Sequence, residues 1–408
     1  MDAHRVEADP LETAAQLKPF VDQVMRVDRL TYGNPERGYA LRFEGSLYGD
    51  SMAAYDRLAE AFRPLAFTPL FRKEEGQHVI LAMRGVMEVG PTSPVTNLVL
   101  FVLTVLSMLW TGAQYDYQGP APVNTTDVIR LLGQGWPFTL SLLSILLAHE
   151  FGHYFAARRS GTAVTLPYFL PVPFGFSVFG TLGAFIRLKA LPRNRRALLD
   201  IGISGPLAGM AIALPVLVYG LLTSNVETIP TRMPEGTGFS FEGNSALYLA
   251  IKYAIFGELL PSPAGFGDQP AIVYWAKYLA TGLPVPLGGR DVILNQVAWA
   301  GWAGLMLTGL NLIPAGQLDG GHALYVLLGR AVNRLVPFVV AGLLLLGLVW
   351  PGWYLYAALI FFLGRAHAEP LDQITELDPT RKLLAVATLA IFLLVFTPIP
   401  LRVFFGAV

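Results

Sequence analysis

The stretch WPFTLSLLSILLAHEFGHYFAARR, residues Trp136–Arg159, decides how the rest of the chain is interpreted. It is apolar and long enough to cross a bilayer as a helix, which takes about 20 residues. Near its end it carries His149, Glu150 and His153. Ionisable groups inside a spanning helix are costly and usually mark a function. The stretch therefore predicts a membrane-spanning helix that carries a reactive site.

The spacing of these three residues indicates a metal site. On a helix, His149 and His153 lie on the same face, about 6 Å apart at Cβ, and two imidazoles so placed can both reach one zinc ion. Glu150 projects to the side, where it can accept a proton from a water molecule. The alternative is a chance match, in which the buried histidines are held by hydrogen bonds alone.

A second stretch, LTGLNLIPAGQLDGGH at residues 307–322, supplies a candidate for the missing ligand. An open catalytic zinc site has three protein ligands and a water molecule in the fourth position. Asp319 is the candidate, because Gly320 and Gly321 allow the chain to turn tightly beside it. Pro314 breaks the preceding helix and frees backbone to approach the site.

Other interpretations of this second stretch stay open. Asp319 can instead cap a following helix, Gly320–Leu328, since an Asp-Gly pair is common in turns. His322 is a rival third ligand. Asn311 is placed either to orient a ligand or to donate a hydrogen bond to a developing oxyanion. The remaining histidines are expected on the surface: His4, His78 and His367.

The composition indicates a membrane protein. Of the 408 residues, 53% are hydrophobic and only 14% are charged, against about 25% charged in an average soluble domain. The mean hydropathy is +0.49. The net charge is zero, which argues against a nucleic-acid partner. The chain has no cysteine, so disulfides, cysteine nucleophiles and thiolate zinc sites are excluded.

Residues 1–90 predict a small α+β soluble domain on the cytosolic side. Its predicted elements are helices at Leu11–Met25 and Ser51–Phe62, the second capped by Asp50, and strands at Tyr39–Phe43, Phe67–Arg72 and His78–Met83. Gly90, Pro91 and Pro94 then mark the entry to the membrane.

Residues 91–400 predict a membrane-embedded domain with about seven helical spans. The predicted spans are Val95–Trp110, Trp136–Arg158, Leu198–Leu222, Val292–Leu312, Leu335–Val349, Trp353–Leu363 and Leu383–Pro398. A long segment, residues 223–290, is rich in glycine and proline and is expected outside the membrane on the far side. Within it, Ala246–Leu260 is apolar but short, and we expect it to lie at the interface or on the bundle; an eighth span is the alternative.

The distribution of basic residues predicts the orientation. Seven arginines and lysines follow the second span, whereas the preceding loop, residues 111–134, has only Arg130. Residues 1–94 and the His-Glu-Phe-Gly-His end of the second span are therefore expected in the cytosol, and the carboxyl terminus outside. The acidic residues of the amino-terminal stretch argue against an organelle transit peptide. We expect a multi-pass protein of the bacterial plasma membrane.

Residues 163–190 are apolar enough for membrane depth but rich in proline and glycine, and so form a poor helix. Non-helical backbone survives at that depth only when it is packed in protein or lines a wet cavity. We predict a re-entrant β-hairpin around Phe176–Gly183, whose free edge can pair with an extended peptide. The alternative is a packed structural loop.

These motifs together resemble the site-2 protease family, which are intramembrane zinc metalloproteases. The resemblance rests on the His-Glu-Phe-Gly-His motif and on Asn311, Pro314 and Asp319-Gly-Gly. It extends to Phe179–Ile186, similar to the family's re-entrant hairpin, and to Gly202–Gly209, similar to its small-residue motif in a core span, where small residues let helices approach closely.

The resemblance implies a set of roles. His149, His153 and Asp319 become ligands of one Zn²⁺ ion, Glu150 the catalytic base, and Asn311 a substrate contact. Substrate contacts are also expected from the hairpin residues Phe179, Gly180 and Gly183. The soluble amino-terminal domain is similar to that of the cyanobacterial and plant-chloroplast subgroup, although Gly45-Ser-Leu-Tyr-Gly49 departs from that subgroup's Gly-Asn-Leu-Arg-Gly.

The function expected from these features is that of an intramembrane zinc endopeptidase, acting in regulated intramembrane proteolysis. Its partners are the lipid bilayer and a membrane-protein substrate, cut within a transmembrane segment near the cytosolic face. One alternative is a catalytically silent membrane adaptor that binds transmembrane helices. The other is a zinc carrier, which would need metal ligands arranged as a path through the bundle.

Overall fold

A computed structural model describes residues 9–33, 38–86, 90, 93–117, 119–173, 176–231, 238–363 and 369–405. His4, His367 and Pro91 lie outside these described residues. His78 is half-buried in a strand, and its Nδ1 accepts a hydrogen bond from the Leu47 amide, so the expectation of an ordinary surface histidine is wrong for this residue.

The amino-terminal unit is an antiparallel sheet covered by two helices. Its elements are α1 (Pro10–Val21), β1 (Met25–Tyr32), β2 (Tyr39–Leu47), α2 (Ser51–Phe62), β3 (Phe67–Glu74) and β4 (Gln77–Arg84). The strand order is β1-β2-β4-β3. The predicted second helix is confirmed, and the Asp50 carboxylate accepts from the Ala53 amide at its start. The first helix ends earlier than predicted because the chain turns into β1. The extent of a separate domain over residues 1–90 stays a prediction.

Apolar helices make up most of the remaining chain. They are α3 (Pro94–Asp116), α4 (Thr125–Gln134), α5 (Trp136–Arg159), α6 (Arg195–Leu222), α7 (Ala246–Phe256), α8 (Ala271–Thr281), α9 (Gln296–Asn311), α10 (Asp319–Leu328), α11 (Val336–Leu346), α12 (Gly352–Leu363) and α13 (Pro379–Val395). Short strands lie between and after them: β5 (Tyr168–Pro171), β6 (Thr181–Phe185), β7 (Asn225–Thr228), β8 (Gly238–Glu242), β9 (Arg290–Ile293) and β10 (Leu401–Phe405).

The predicted count of seven spans is not confirmed. Among the described residues, two helices are long and apolar enough to cross a membrane, within α3 and over α6. The count rises to four if two bent pairs are each one span: α4 with α5, bent by 56°, and residues 319–334 with α11, bent by 85°. Taken singly, the helices of the last four predicted spans have 11 to 17 residues, fewer than the about 20 residues that a bilayer needs.

Glycines bring the backbones of α5, α6 and α9 into direct contact. A Cβ atom on Gly152 of α5 would lie 2.6 Å from the Ser204 carbonyl oxygen of α6. A Cβ atom on Gly220 of α6 would lie 2.2 Å from the Ala298 amide nitrogen of α9. Small residues allow such close approach between membrane helices. These three helices therefore form the compact centre that carries the candidate site.

The region predicted as a re-entrant hairpin forms a β-hairpin, with its strands placed differently from the prediction; its re-entry into the membrane stays a prediction. β5 pairs antiparallel with β6, so the Phe176–Gly180 segment belongs to the connection between them and not to a strand. Side chains of α3 bind the hairpin backbone: Asn97 donates to the carbonyls of Leu166 and Pro167, and Ser107 to that of Val172. These bonds satisfy backbone groups that a helix would have satisfied internally.

Residues 223–231 and 238–290 lie at the end of the bundle away from the amino-terminal unit. α6 begins beside that unit and runs 28 residues to β7, about 42 Å at 1.5 Å per residue. β7 pairs with β9, and β8 with β10, so the strand at residues 401–405 shares this far side. Helix α7 has 11 residues, too few to span, as expected for an interfacial or bundle-packed helix.

Residues 369–375, which we call the strap, join the amino-terminal sheet to the membrane helices. The Phe71 amide of β3 donates to the Leu371 carbonyl at 2.9 Å. On the other side of the strap, the Asp372 amide donates to the Arg193 carbonyl at 2.8 Å, just before α6. The strap thus forms an isolated bridge to the edge strand β3 and another to Asn194, just before α6.

Arg72 is the buried side chain that holds the strap. Its Nη1 donates to three carbonyls within 3.0 Å, those of Phe71, Pro370 and Leu371. Its Nε lies 3.4 Å from the Glu369 carboxylate, which Arg330 also binds at 2.7 Å. Burial lowers the pKa of Arg72, and Glu369 opposes that shift. The strap also reaches α10, because the Gln373 side chain donates to the Tyr325 hydroxyl.

We predict that Arg72→Ala loosens the strap from β3, because three buried carbonyls and one carboxylate lose a donor. The expected loss is about 2–4 kcal/mol of local stability. Limited proteolysis and hydrogen exchange of residues 369–375 in purified protein measure it. Arg57→Ala, at an exposed arginine of α2, is the matched control and should change neither readout. Equal protection in the two variants would remove Arg72 as the anchor.

Candidate metal centre

Three predicted ligands meet at the centre of the bundle. His149 and His153 face each other one turn apart on α5, with 3.1 Å between their Nε2 atoms. The Asp319 Oδ2 atom lies 3.4 Å from each Nε2. Donors at 2.0–2.1 Å from a tetrahedral zinc ion are about 3.3–3.4 Å apart. The donor set and its spacing therefore fit one zinc ion.

The two histidines of this donor set are buried, and a hydrogen bond orients the His153 ring. His149 and His153 are 6% and 7% exposed. The His153 Nδ1 atom lies 2.7 Å from the Ile201 carbonyl oxygen of α6, so in the neutral ring Nδ1 carries the proton and donates. The Nε2 lone pair is then free to face Asp319. Histidine ligands commonly use such an outer hydrogen bond to fix the tautomer and the ring orientation.

The turn between α9 and α10 delivers Asp319 to the histidines. A Cβ atom on Gly320 would lie 1.9 Å from the Leu312 carbonyl oxygen, and one on Gly321 2.5 Å from that of Gly316. Only glycine fits at these two positions, which explains the Asp-Gly-Gly sequence. Asp319 is the first residue of α10, and no side chain caps that helix. The alternative of Asp319 as a helix cap is therefore wrong.

His322 lies in the same cavity but outside the donor group. Among the described residues, the one group of three or more possible ligands within reach of a single ion is His149, His153 and Asp319. The Cβ atom of His322 instead packs over Gly202 of α6, where an added Cβ would lie 2.8 Å away. The structure thus gives no support to His322 as the third ligand.

Glu150 is buried beside the donor group with unused hydrogen-bonding capacity. It is 4% exposed, and its Oε2 atom has no hydrogen-bond partner in the described part of the chain. The Ile186 backbone amide lies beside its carboxylate. A buried carboxylate oxygen without a donor is costly, so this atom is suited to receive a proton from a ligand that enters the cavity.

Asn311 and the end of the hairpin complete the cavity, which has a volume of about 220 Å³. The Asn311 side-chain nitrogen lies 3.4 Å from His149 Nε2. The hairpin contributes Ala184, Phe185, Ile186 and Leu188 to the wall. All four follow the predicted contacts, Phe179, Gly180 and Gly183, in the sequence.

The three predicted hairpin contacts lie elsewhere. Phe179 packs against Trp299 and Trp302, with ring centroids 6.3 Å apart in both pairs. Gly180 fits closely against α3, since an added Cβ would lie 2.7 Å from the Ser107 carbonyl oxygen. Gly183 has open space around it but is not part of the cavity wall.

Gly205 and Gly209 of α6, which the sequence did not single out as site residues, lie directly against the two histidine ligands. A Cβ atom on Gly205 of α6 would lie 2.1 Å from His153 Nε2, and one on Gly209 would lie 3.1 Å from the His149 Cβ atom. With Gly202 beneath His322, these glycines recur every three to four residues and share one face of α6. That spacing is the signal by which sequence could have assigned them to the site.

Comparison with known proteins supports a peptidase. The family model described as "Peptidase family M50" matches residues 137–349, which include all three candidate ligands. A protein of Oryza sativa subsp. indica named "Probable zinc metalloprotease EGY2, chloroplastic" is 31% identical over 280 residues, covering 68% of this chain and 45% of that protein. No solved structure matches the chain.

Two further relatives extend the similarity towards the amino-terminal unit. "Probable zinc metalloprotease EGY1, chloroplastic" of Oryza sativa subsp. japonica is 28% identical over 404 residues, covering 89% of this chain and 63% of that protein. The Arabidopsis thaliana protein of the same name is 29% identical over 344 residues, covering 78% and 56%. The chain thus spans about half the length of the curated relatives it matches.

The names of these relatives correct one expectation. They are plant proteins described as chloroplastic, so the predicted location in the bacterial plasma membrane is wrong. The distribution of basic residues reports which side of a membrane a loop occupies, and it does not identify the membrane. The match over more than half of the chain shows that it belongs to peptidase family M50, the site-2 protease family of zinc metalloendopeptidases, in a subgroup with the plant chloroplast members.

Proposed function

We propose that the protein is an intramembrane zinc endopeptidase that cleaves within the transmembrane segment of another membrane protein. The observation that carries this proposal is the buried group of three donor atoms, 3.1 to 3.4 Å apart, beside a carboxylate oxygen without a partner. The cavity that contains them lies among apolar helices. A substrate must therefore reach the site from within the bundle or from the bilayer.

The proposed roles rest on this geometry. His149, His153 and Asp319 would hold the Zn²⁺ ion. When bound, the ion would polarise the scissile carbonyl and make the attacking water more acidic. Glu150 accepts a proton from that water through its unpartnered oxygen and passes it to the leaving amine. Asn311 donates a hydrogen bond to the carbonyl oxygen as negative charge develops there.

The hairpin offers the substrate a strand to pair with. The Thr165 amide donates to the Arg187 carbonyl, and the Lys189 amide donates to the Ala163 carbonyl, so residues 187 and 189 face the partner strand. Alternate residues of an antiparallel strand turn their backbone groups to opposite edges. The Ile186 amide lies beside Glu150 on the other edge, and we propose that Ala184, two residues before it, turns its backbone groups to that edge as well.

Pairing with this edge lowers the free-energy cost of unwinding a substrate helix. A transmembrane helix has no free backbone groups, and breaking its hydrogen bonds in an apolar environment costs several kcal/mol per group. An edge strand supplies replacement partners and holds the peptide extended. We expect cleavage close to the face of the membrane on which the amino-terminal unit lies, because the ligands occupy the end of α5 that is nearer to that unit.

The two alternative functions receive less support. A zinc carrier would need a path of ligands, whereas the part of the chain that the structure describes contains one compact group. A silent adaptor would have no use for a buried carboxylate held beside a metal site.

Co-expression with tagged single-span proteins, comparing wild type with Glu150→Gln and identifying the fragments by mass, tests for cleavage directly. Fragments that persist with Glu150→Gln would contradict the proposed role.

We predict that His149→Ala, His153→Ala and Asp319→Ala each weaken zinc binding by more than the about 10–100-fold expected for losing an outer-shell partner. Elemental analysis of detergent-purified protein measures this. Glu150→Gln should keep its zinc and lose cleavage, since Glu150 is not a ligand. His322→Ala is the matched control and should keep its zinc. Full zinc in Asp319→Ala together with zinc loss in His322→Ala would show that His322, and not Asp319, is the third ligand.

We predict that Gly205→Ala removes zinc binding while the chain still folds into membranes, because the new methyl group occupies the position of the His153 ring. The added Cβ would lie 2.1 Å from Nε2, too close for any contact without movement. Gly342→Ala, in α11 with no atom within 4 Å of the added Cβ, is the matched control and should be neutral or slightly stabilising. Normal zinc content in Gly205→Ala would show that α5 and α6 separate easily.

We predict that Ala184→Pro slows cleavage of a stable helical substrate at least tenfold, because proline removes an amide from the free edge and leaves the β5 side intact. The same substrate with glycine or proline near the scissile bond should recover in part. Zinc content should not change, and Ala184→Ser, which keeps the amide, is the control. Equal loss of both substrates would make the hairpin a packed wall of the cavity instead of an unwinding edge.

A further inference from the structure

A second buried group of ionisable side chains lies on the far side of the protein, away from the metal centre. Lys252 of α7 is fully buried, Glu242 of β8 is 7% exposed and Asp291 of β9 is 4% exposed. The Lys252 Nζ atom lies 3.4 Å from Glu242 Oε1 and 3.8 Å from Asp291 Oδ1. The Tyr248 hydroxyl donates to Glu242 Oε1 at 3.0 Å. We call Glu242, Lys252 and Asp291 the far-side triad.

The far-side triad carries an unbalanced charge. Two carboxylates share one ammonium group, so the fully ionised cluster has a net charge of −1 in a buried environment. Other ionisable groups near Asp291 are Tyr248 of α7, Tyr278 of α8, Glu227 opposite it on β7, Arg290 beside it on β9, and Arg402 of β10 near Tyr278. Burial raises the pKa of both tyrosines, so they stay neutral, and Arg290 is paired with Glu258 at 2.8 Å.

Asp291 is the member of the triad that relieves this imbalance. Burial raises its pKa, Lys252 opposes the rise and Glu242 adds to it, with a net increase. The folded protein therefore binds this proton more tightly than the unfolded chain does. The resulting stability is fully present below the unfolded pKa of about 4 and is lost as the pH rises through the folded value.

A cavity of about 290 Å³ gives protons access to the triad. Glu242 and Asp291 both line it, together with Tyr115 of α3 and Val178 of the hairpin connection. A cavity that contains one water molecule needs only about 10–15 Å³ of such volume, so this one has room for several. The cavity also places the triad beside the hairpin, whose Val178 carbonyl accepts a hydrogen bond from the Tyr115 hydroxyl.

The triad lies where the far-side ends of α6, α9 and α13 come together. β7 follows α6 and pairs with β9, which carries Asp291 and leads into α9. β8, which carries Glu242, pairs with β10 after α13. Lys252 connects both strand pairs to α7. The charge of the triad therefore lies where β8, α7 and β9 are attached to the bundle.

We propose that the far-side triad is a proton-operated latch, which holds β8, α7 and β9 against the bundle when Asp291 is protonated and loosens them when Asp291 ionises. Acidification of the compartment on that side closes the latch. Raising the pH leaves one uncompensated negative charge under α7, and these three elements open towards solvent to hydrate it. The latch acts independently of the metal centre and of the proposed peptidase activity.

Hydrogen exchange on the whole chain in detergent, at about pH 6 and about pH 8, tests the proposal. Amide exchange is itself catalysed by base, so the exchange times at the two pH values are corrected for the difference in intrinsic exchange rate. In wild type, the opening of α7, β8 and β9 should increase with pH, by up to about tenfold per pH unit for one linked proton. Asp291→Asn should abolish this dependence and remain as protected at the higher pH as wild type is at the lower one.

Two further variants keep the test decisive. Glu242→Gln leaves one carboxylate for one ammonium and should also stay closed at the higher pH. Glu227→Gln, an exposed carboxylate on β7, is the matched control and should keep the wild-type dependence. A wild-type opening that does not change with pH overturns the latch, and that result needs no variant to fold. So does an Asp291→Asn protein whose opening follows pH as wild type does.

Discussion

The structure depends on how closely α6 can approach α5. His149 and His153 present their Nε2 atoms to Asp319 only because α6 has glycine where a side chain would displace them. Gly205 leaves space for the His153 ring, and the same helix supplies the Ile201 carbonyl that accepts from its Nδ1. One helix thus provides both the space and the hydrogen bond. The ligand geometry is therefore a property of the contact between two helices, and it would not survive a shift of either by the width of a methyl group.

The parts of the fold that sequence predicted are those set by local chemistry. His149 and His153 share a face because of helical periodicity, and Asp319 follows a proline and precedes two glycines, so a tight turn beside it was predictable. The second helix of the amino-terminal unit was predictable from Asp50, whose carboxylate caps it. Proline and glycine in residues 163–190 excluded a helix there, and a hairpin is what formed. In each case the deciding residues lie within one or two turns of one another.

The remainder depends on contacts between distant residues or on lengths that hydropathy does not resolve. Residues 335–349 are uniformly apolar, yet the chain bends by 85° where they begin, so composition alone does not establish the number of spans. The hairpin wall of the cavity is formed by Ala184, Phe185, Ile186 and Leu188, whereas Gly180 packs against α3. The strap and the far-side triad could not be predicted. Each joins residues that are widely separated in sequence and that carry no motif.

The strap also sets an order of assembly. Arg72 and the Pro370 carbonyl that it binds are separated by 298 positions in the chain. A ribosome that has made β3 must add nearly all of the membrane helices before the partner of that sheet edge exists. Contacts between residues so far apart form late in folding, because the loop that joins them must be closed first. The link from the amino-terminal sheet to α10, which carries Asp319, is therefore completed only after residues 369–375 have been made, and a nascent chain that lacks them cannot make it.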